Sequence, residues 1–186
     1  MSGRGANAPA VRVLGGRWKG RKLEASAASR PTSGRARQAL LNLLADRVVG
    51  ARVLDLYAGT GAVGIEMVSC GAVSAVLVER EAAPLRRCLE RIGASPSEVR
   101  VVALAAAEAV AELARNGERF DVVFADPPYA ARPGSAELEA AAGLLSARGV
   151  FVLQQDARTA VPQLKGLALR DRRAYGRNVF FFFGML

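Results

Sequence analysis

The 186-residue chain contains no histidine, and that absence removes more chemistry than any other feature of its composition. Ser-His-Asp and Cys-His nucleophilic sites need an imidazole, and most zinc sites need one as a ligand. Cysteine is scarce as well. Cys70 and Cys88 form no CxxC pair, so both read as buried thiols on helices, with no disulfide framework and no metal site. Long apolar runs are missing too. The longest, over 179–186, falls far short of the ~18 residues that a membrane-spanning helix requires. Residues 1–10 carry charge but no apolar stretch, which predicts a disordered tail, no secretory signal and a cytoplasmic protein.

Acids are rare in one region only. Up to Arg37, nine basic residues accompany a single acid, Glu24, whereas the remaining seventeen basic residues face sixteen acids. The net charge of +9 therefore sits on an N-terminal arm, the pattern of a polyanion-binding segment. A solvated tail would satisfy the charge alone, but Trp18 and the apolar alternation around it predict structure.

Half of the residues are hydrophobic, enough for one domain with a full core. Short strands over 11–14 and 21–24 flank a glycine-bounded turn and predict a hairpin presenting Arg12, Arg17, Trp18, Lys19, Arg21 and Lys22. A helix follows from Ser33, a good N-cap, to about residue 45. Strands are then expected at 52–57, 74–79, 99–103, 120–125, 150–154, 167–174 and 178–184, with helices at 62–70, 81–92, 105–116 and 135–145. The early strands are unbroken apolar runs, as in sheets covered on both faces. This predicts an α/β fold: a doubly wound, mostly parallel, Rossmann-like sheet of about seven strands with a small N-terminal hairpin. Its parts are a tail (1–10), a basic hairpin and connector (11–32) and the main domain (33–186). Phe180 to Phe183 read as a strand buried on both faces rather than as a platform for bases.

The first strand of the alternation runs into Asp55-Leu56-Tyr57-Ala58-Gly59-Thr60-Gly61-Ala62-Val63-Gly64. The glycines allow a sharp turn and close approach of a ligand, at the strand end where open α/β sheets bind ligands. Glu79, twenty residues beyond Gly59, suits a ribose diol. Asp55 decides between ligands. A carboxylate opposes the pyrophosphate of a dinucleotide but favours a cationic sulfonium or ammonium, so S-adenosylmethionine fits better than NAD. The candidate cofactor-binding set is Asp55, Tyr57, Ala58, Gly59, Gly61, Glu79, Arg80, Ala106 and Asp126.

The fourth strand ends in Asp126-Pro127-Pro128-Tyr129, a stiff turn that presents a carboxylate, carbonyls and a ring. An exocyclic amine on a base is a poor nucleophile because its lone pair is delocalised. Hydrogen bonds from it to Asp126 and the Pro127 carbonyl favour pyramidalisation, while Tyr129 stacks on the extruded base. Asp126, Pro127 and Tyr129 are thus the catalytic candidates. Methylation at a pyrimidine carbon would require a cysteine in this loop, and there is none.

Asp55–Gly61 (D-L-Y-A-G-T-G) resembles the nucleotide-binding loop of class I methyltransferases, and D-P-P-Y resembles the motif of those acting on base amines. With the V-R-V-L-G-G-R-W-K-G-R-K-L arm, Arg30-Pro31-Thr32, Arg35 and Arg37, the chain resembles RsmD-type 16S ribosomal RNA guanine-N2 methyltransferases over nearly everything after residue 10. That resemblance implies S-adenosylmethionine as cofactor and a target guanine in 16S ribosomal RNA, within small-subunit particles. It implies a monomer without membrane attachment, and Arg12, Arg17, Trp18, Lys19, Arg21, Lys22, Arg30, Thr32, Arg35 and Arg37 as the RNA-binding set. The chain departs from the pattern twice. Ala103 to Ala107 stand where such enzymes often carry Asp or Asn, which leaves adenine recognition to backbone near Ala105 and Ala106 or to Glu108. Gln154-Gln155 stand where relatives tend to show glutamate. An adenine amino-methyltransferase shares the mechanism but usually needs a separate recognition domain. An NAD-linked oxidoreductase and a non-catalytic RNA-binding assembly factor are the readings from other classes.

Overall fold

The computed structural model describes residues 11–24, 32–128 and 136–186. The expected tail over 1–10, Arg30 and Tyr129 lie outside them. Seven strands form one sheet in the order β5-β4-β3-β6-β7-β9-β8. They are β3 (Arg52–Leu56), β4 (Ser74–Val78), β5 (Val99–Val102), β6 (Phe120–Ala125), β7 (Leu145–Asp156), β8 (Leu167–Tyr175) and β9 (Asn178–Met185). Only β9 runs against its neighbours. Helices α3 (Ala62–Ser69), α4 (Ala82–Ile92), α5 (Ala106–Arg115) and α6 (Ala136–Ala142) alternate with the strands, as expected. The chain order reverses between β3 and β6, which leaves a crevice at their carboxyl ends.

Both faces of the sheet are covered, and this is why its strands carry little polar alternation. Val53, Val122, Val152, Phe180 and Phe182 belong to one core. Leu54, Val123, Phe151, Phe181 and Phe183 belong to the other. The phenylalanine run is therefore the two-sided strand that its composition predicts.

Two expected boundaries move. The first helix, α1 (Gly34–Leu43), begins at its Ser33 cap, whose hydroxyl accepts from the Ala36 N–H at 3.2 Å. It breaks at Leu44 (φ −102°, ψ 5°) and resumes as α2 (Ala45–Val48). Leu40, Leu44 and Val48 all stay buried across the break, so the apolar pattern holds no trace of it. β7 spans twelve residues instead of 150–154, and α6 stops at Ala142. Gly149 explains the extension: a Cβ there would lie 2.7 Å from the Leu145 side chain, so the strand's first residues can fold against this point. The β6–β7 register shifts between Phe120 and Val122 to accommodate it.

The basic arm is built into the body. β1 (Val11–Arg12) pairs with β2 (Lys22–Leu23), and a 3-10 turn over Gly16–Trp18 presses on α3. The Ser69 hydroxyl donates to the Gly15 carbonyl at 2.6 Å and accepts from the Trp18 backbone N–H at 2.9 Å. A Cβ on Gly16 would fall 1.8 Å from the Ser69 carbonyl oxygen, so this position must be glycine. Arg37 Nη2 donates to the Arg12 carbonyl at 3.0 Å, and its Nε lies 3.3 Å from Glu66. Glu66 in turn accepts from the Leu14 N–H at 3.1 Å. Two members of the expected RNA-binding set are corrected here. Trp18 is 7 % exposed and Arg37 3 %, so the ring packs in the core and the guanidinium sits against a buried acid, away from the surface on which the sequence reading placed them.

Burial raises the Glu66 pKa to about 7, against the pull of Arg37 and the Leu14 N–H. Arg37→Ala should therefore cost about 3–5 kcal/mol by leaving a buried acid unpaired. The loss read from denaturant midpoints should be larger at pH 8 than at pH 5, where Glu66 can take up a proton. Equal losses at both would show that packing, not charge, sets the cost.

Candidate active site

Two loops at the carboxyl ends of β3 and β6 form the crevice. Leu56 pairs with Ala125, so the next residues, Tyr57 and Asp126, emerge side by side. Gly61 (φ 71°) opens α3, and a Cβ there would lie 2.6 Å from Leu85. At Gly64, one turn on, a Cβ would lie 2.3 Å from Leu77 and 3.2 Å from Asp55 Oδ2. The glycines thus admit close packing of α3 on β4 as well as a turn.

Asp55 is 1 % exposed, and its Oδ2 accepts from the Gly64 N–H at 2.9 Å. It caps the first turn of α3, where the helix dipole favours a negative charge. Burial raises its pKa to about 7; the Gly64 N–H opposes this, and the charges of Asp126 and Glu79 add to it. Glu79 accepts from the Gly59 N–H at 2.8 Å and the Glu81 N–H at 3.0 Å, which fixes it at the loop with lone pairs still unused. Ala58 is half-buried and its N–H donates to the Val78 carbonyl at 2.9 Å, while Arg80 is exposed beside it. Ala106 begins α5 after Ala105, a cap without a side-chain hydrogen bond, which keeps first-turn amides available for a ligand.

Tyr57 adopts φ 63°, a backbone region unusual for a non-glycine residue. Its hydroxyl donates to Glu137 Oε1 at 2.6 Å, tying this loop to the helix that follows the catalytic turn. Burial, then the Glu137 carboxylate, raise the tyrosine pKa and keep the hydroxyl a donor.

Asp126 is half-buried, Pro127 buried and Pro128 exposed. Burial raises the Asp126 pKa to about 7. Gln154 Nε2 donates to Asp126 Oδ2 at 3.0 Å. The Thr32 hydroxyl lies 3.4 Å from the same oxygen and 3.2 Å from Gln154 Oε1. Thr32, expected at RNA, thus reaches the candidate catalytic carboxylate. The role of Gln154 escaped the sequence reading, although its departure from glutamate was the available signal. Glu137 carried no signal at all.

The remaining expected RNA residues line an outer surface. Arg12, Lys19, Arg21, Lys22 and Arg35 are exposed. Arg17 is exposed too, pairing with Glu98 at 2.6 Å while its guanidinium stacks 4.1 Å from the Trp18 ring centre. Among the described residues no group of acids, cysteines or histidines could hold a metal ion. No helix among them is long and apolar enough to cross a membrane.

A seven-stranded sheet with one reversed strand, a glycine loop after β3 and an acidic turn after β6 define the class I methyltransferase fold. Within that fold class, the chain belongs to the family described as Conserved hypothetical protein 95, which it matches over residues 11–184. It is similar to Ribosomal RNA small subunit methyltransferase D of Escherichia coli, 38% identical over 122 residues. That match takes in 64% of this chain and 60% of the relative, so it spans under two thirds of the curated protein. A solved hypothetical protein from Thermus thermophilus is 38% identical with a TM-score of 0.81, covering 95% of this chain and 99% of that one. Solved yhhF from Escherichia coli is 29% identical with a TM-score of 0.80, covering 95% and 98%. The resemblance drawn from the sequence holds.

Thr32 and Gln154 both favour the ionised form of Asp126. Thr32→Val and Gln154→Leu should each move the Asp126 titration, followed by carboxyl-carbon NMR, to a pH above its value of about 7 in the parent protein. An unmoved titration would show that neither hydrogen bond persists in solution.

Proposed function

We propose that this protein is an S-adenosylmethionine-dependent methyltransferase that modifies the exocyclic N2 amine of a guanine in small-subunit ribosomal RNA, guanine 966 in the usual ribosomal numbering. One observation carries the reading. Asp55, Glu79 and Asp126 converge at the crevice, and no lysine or arginine is among the charges acting on Asp55 or Asp126. Such a site favours a cationic ligand and disfavours a pyrophosphate. S-adenosylmethionine matches it: the ribose suits Glu79, the adenine suits backbone near Ala106, and the positive sulfur suits the carboxylates.

When bound, that cofactor supplies an already activated methyl group. The chain's own task is to align and polarise the amine. The ionised Asp126, held from behind by Gln154 and Thr32, keeps Oδ1 for one amine proton, and the Pro127 carbonyl takes the other. Tyr129 supplies the ring against which the extruded base stacks. Held so, the amine nitrogen would take the methyl group, with the demethylated thioether as leaving group. The amine's excess proton then leaves past Asp126, whose pKa of about 7 suits it to pass the proton to water.

Support for the ribosomal target comes from the similarity to Ribosomal RNA small subunit methyltransferase D and from the exposed cations of the arm. The test is mass mapping of small-subunit RNA incubated as particles with the protein and labelled cofactor. A single N2-methylguanine is expected; N6-methyladenine, or no label, would contradict the reading. Asp126→Ala should lower turnover at saturating cofactor by two or more orders of magnitude, ~2.7–4 kcal/mol. Tyr129→Phe should keep most activity and Tyr129→Ala lose it. Tyr129→Phe as inactive as Tyr129→Ala would move the catalytic role to the hydroxyl.

A further inference from the structure

The proposed chemistry leaves a second concentration of positive charge without a task. Residues 156–186 hold six basic side chains (Arg158, Lys165, Arg170, Arg172, Arg173 and Arg177) and two acids, Asp156 and Asp171, which pair with Arg158 and Arg173. In whole-chain counts this excess is hidden by the acids of the middle region. In the fold it borders a groove of about 480 Å³ between the α1–α2 junction and strands β7, β8 and β9.

Arg47, Arg148 and Arg170 line this groove from three separate elements. None of them forms an ion pair with a carboxylate among the described residues. Arg47 donates to the Arg148 carbonyl at 3.2 Å and Arg170 to the Met185 carbonyl at 2.6 Å. These bonds orient the guanidiniums without neutralising them. Asp171 also lines the groove, but it accepts from Arg173 Nε and from the Arg172 N–H, both at 2.8 Å. The rim is partly apolar: Leu43 is 39 % and Met185 45 % exposed.

The groove connects to the catalytic loop. α1 starts beside Thr32, which touches Asp126, and its ten residues reach the groove about 15 Å away. Along the sheet, Gln154 pairs with Phe180 and Phe180 with Arg173, so all three side chains share a face. Tyr175 shares it too, two residues beyond Arg173, its ring centre 6.0 Å from that of Phe180. Arg173, paired with Asp171, and the half-buried Tyr175 thus lie on edge strand β8 between the groove and the row that holds Gln154.

We propose that the trough between α1 and β8 holds the ribose–phosphate backbone of the RNA strand flanking the target nucleotide, with Arg47, Arg148 and Arg170 taking phosphates at its far end. The proposal rests on the ribosomal RNA reading and adds a surface separate from the N-terminal arm. Unpaired guanidiniums beside apolar patches fit a nucleic-acid strand, whose phosphates take the charge while sugars and bases cover the apolar rim. Tyr175 then offers a stacking surface near the catalytic end.

The test uses the full chain carrying Arg47→Gln, Arg148→Gln and Arg170→Gln together, which removes charge while keeping amide donors for the carbonyl bonds. Binding to protein-free 16S ribosomal RNA is measured across a salt series, beside the parent and the matching triple lysine variant. The glutamine triple should bind at least ten-fold more weakly, with a salt slope shallower by about 2, three contacts at roughly 0.7 each. The lysine triple should recover most of both, and thermal melting with cofactor should match the parent in each. Unchanged affinity and slope in a folded glutamine triple would overturn the proposal. So would a loss seen on small-subunit particles but not on protein-free RNA, which would assign the trough to an acidic ribosomal protein. A parent protein that binds neither protein-free ribosomal RNA nor small-subunit particles would fail the underlying reading instead, and the two failures are distinguishable.

Discussion

Three carboxylates, Asp55, Glu79 and Asp126, stand at the ends of β3, β4 and β6, and the burial of the two aspartates sets the electrostatics of the crevice. Each is held by neutral donors: Asp55 by the Gly64 N–H, Glu79 by the Gly59 and Glu81 N–H groups, Asp126 by Gln154. These bonds fix position but do not cancel charge. Burial raises both Asp55 and Asp126 to about 7, with the neighbouring carboxylates adding to the rise at Asp55. For a buried acid whose folded pKa is raised, the folded state binds protons that the unfolded state has released, so stability falls as pH climbs from about 4 through 7. Neutral pH therefore carries this cost, and a bound cation would offset it.

The same economy governs the arm. A segment that composition presents as a polycationic extension is also a packing element, because Arg37 serves Glu66, Trp18 serves the α3 surface and Thr32 serves Asp126. The exposed cations Arg12, Lys19, Arg21 and Lys22 are consequently carried by a hairpin packed into the body rather than by a free tail. Deleting the arm would remove a wall of the core along with its charge.

Much of the fold was legible because strands covered on both faces are unbroken apolar runs and because Asp55–Gly64 and Asp126–Pro128 stand at strand ends. Ser33 was readable as a cap because local hydrogen bonding decides it. The break at Leu44 was not, since the burial pattern continues through it; nor was the length of β7, which depends on Gly149 meeting Leu145. Buried and exposed arginines look alike in a sequence, so Arg37 was assigned to RNA until its partner Glu66, far along the chain, came into view. Contacts made across the sheet, such as Gln154 to Asp126 or Tyr57 to Glu137, leave no periodic trace.

The central claim is that the carboxylate cluster awaits a positive charge, and proton release measures this directly. Calorimetry of S-adenosylmethionine binding in buffers of differing ionisation enthalpy counts the protons expelled. With Asp55 and Asp126 each half-protonated at pH 7, binding should release about one proton there and almost none at pH 9. S-adenosylhomocysteine, which lacks the sulfonium charge, should release distinctly less. Equal release by both ligands, or none by either at pH 7, would contradict the account.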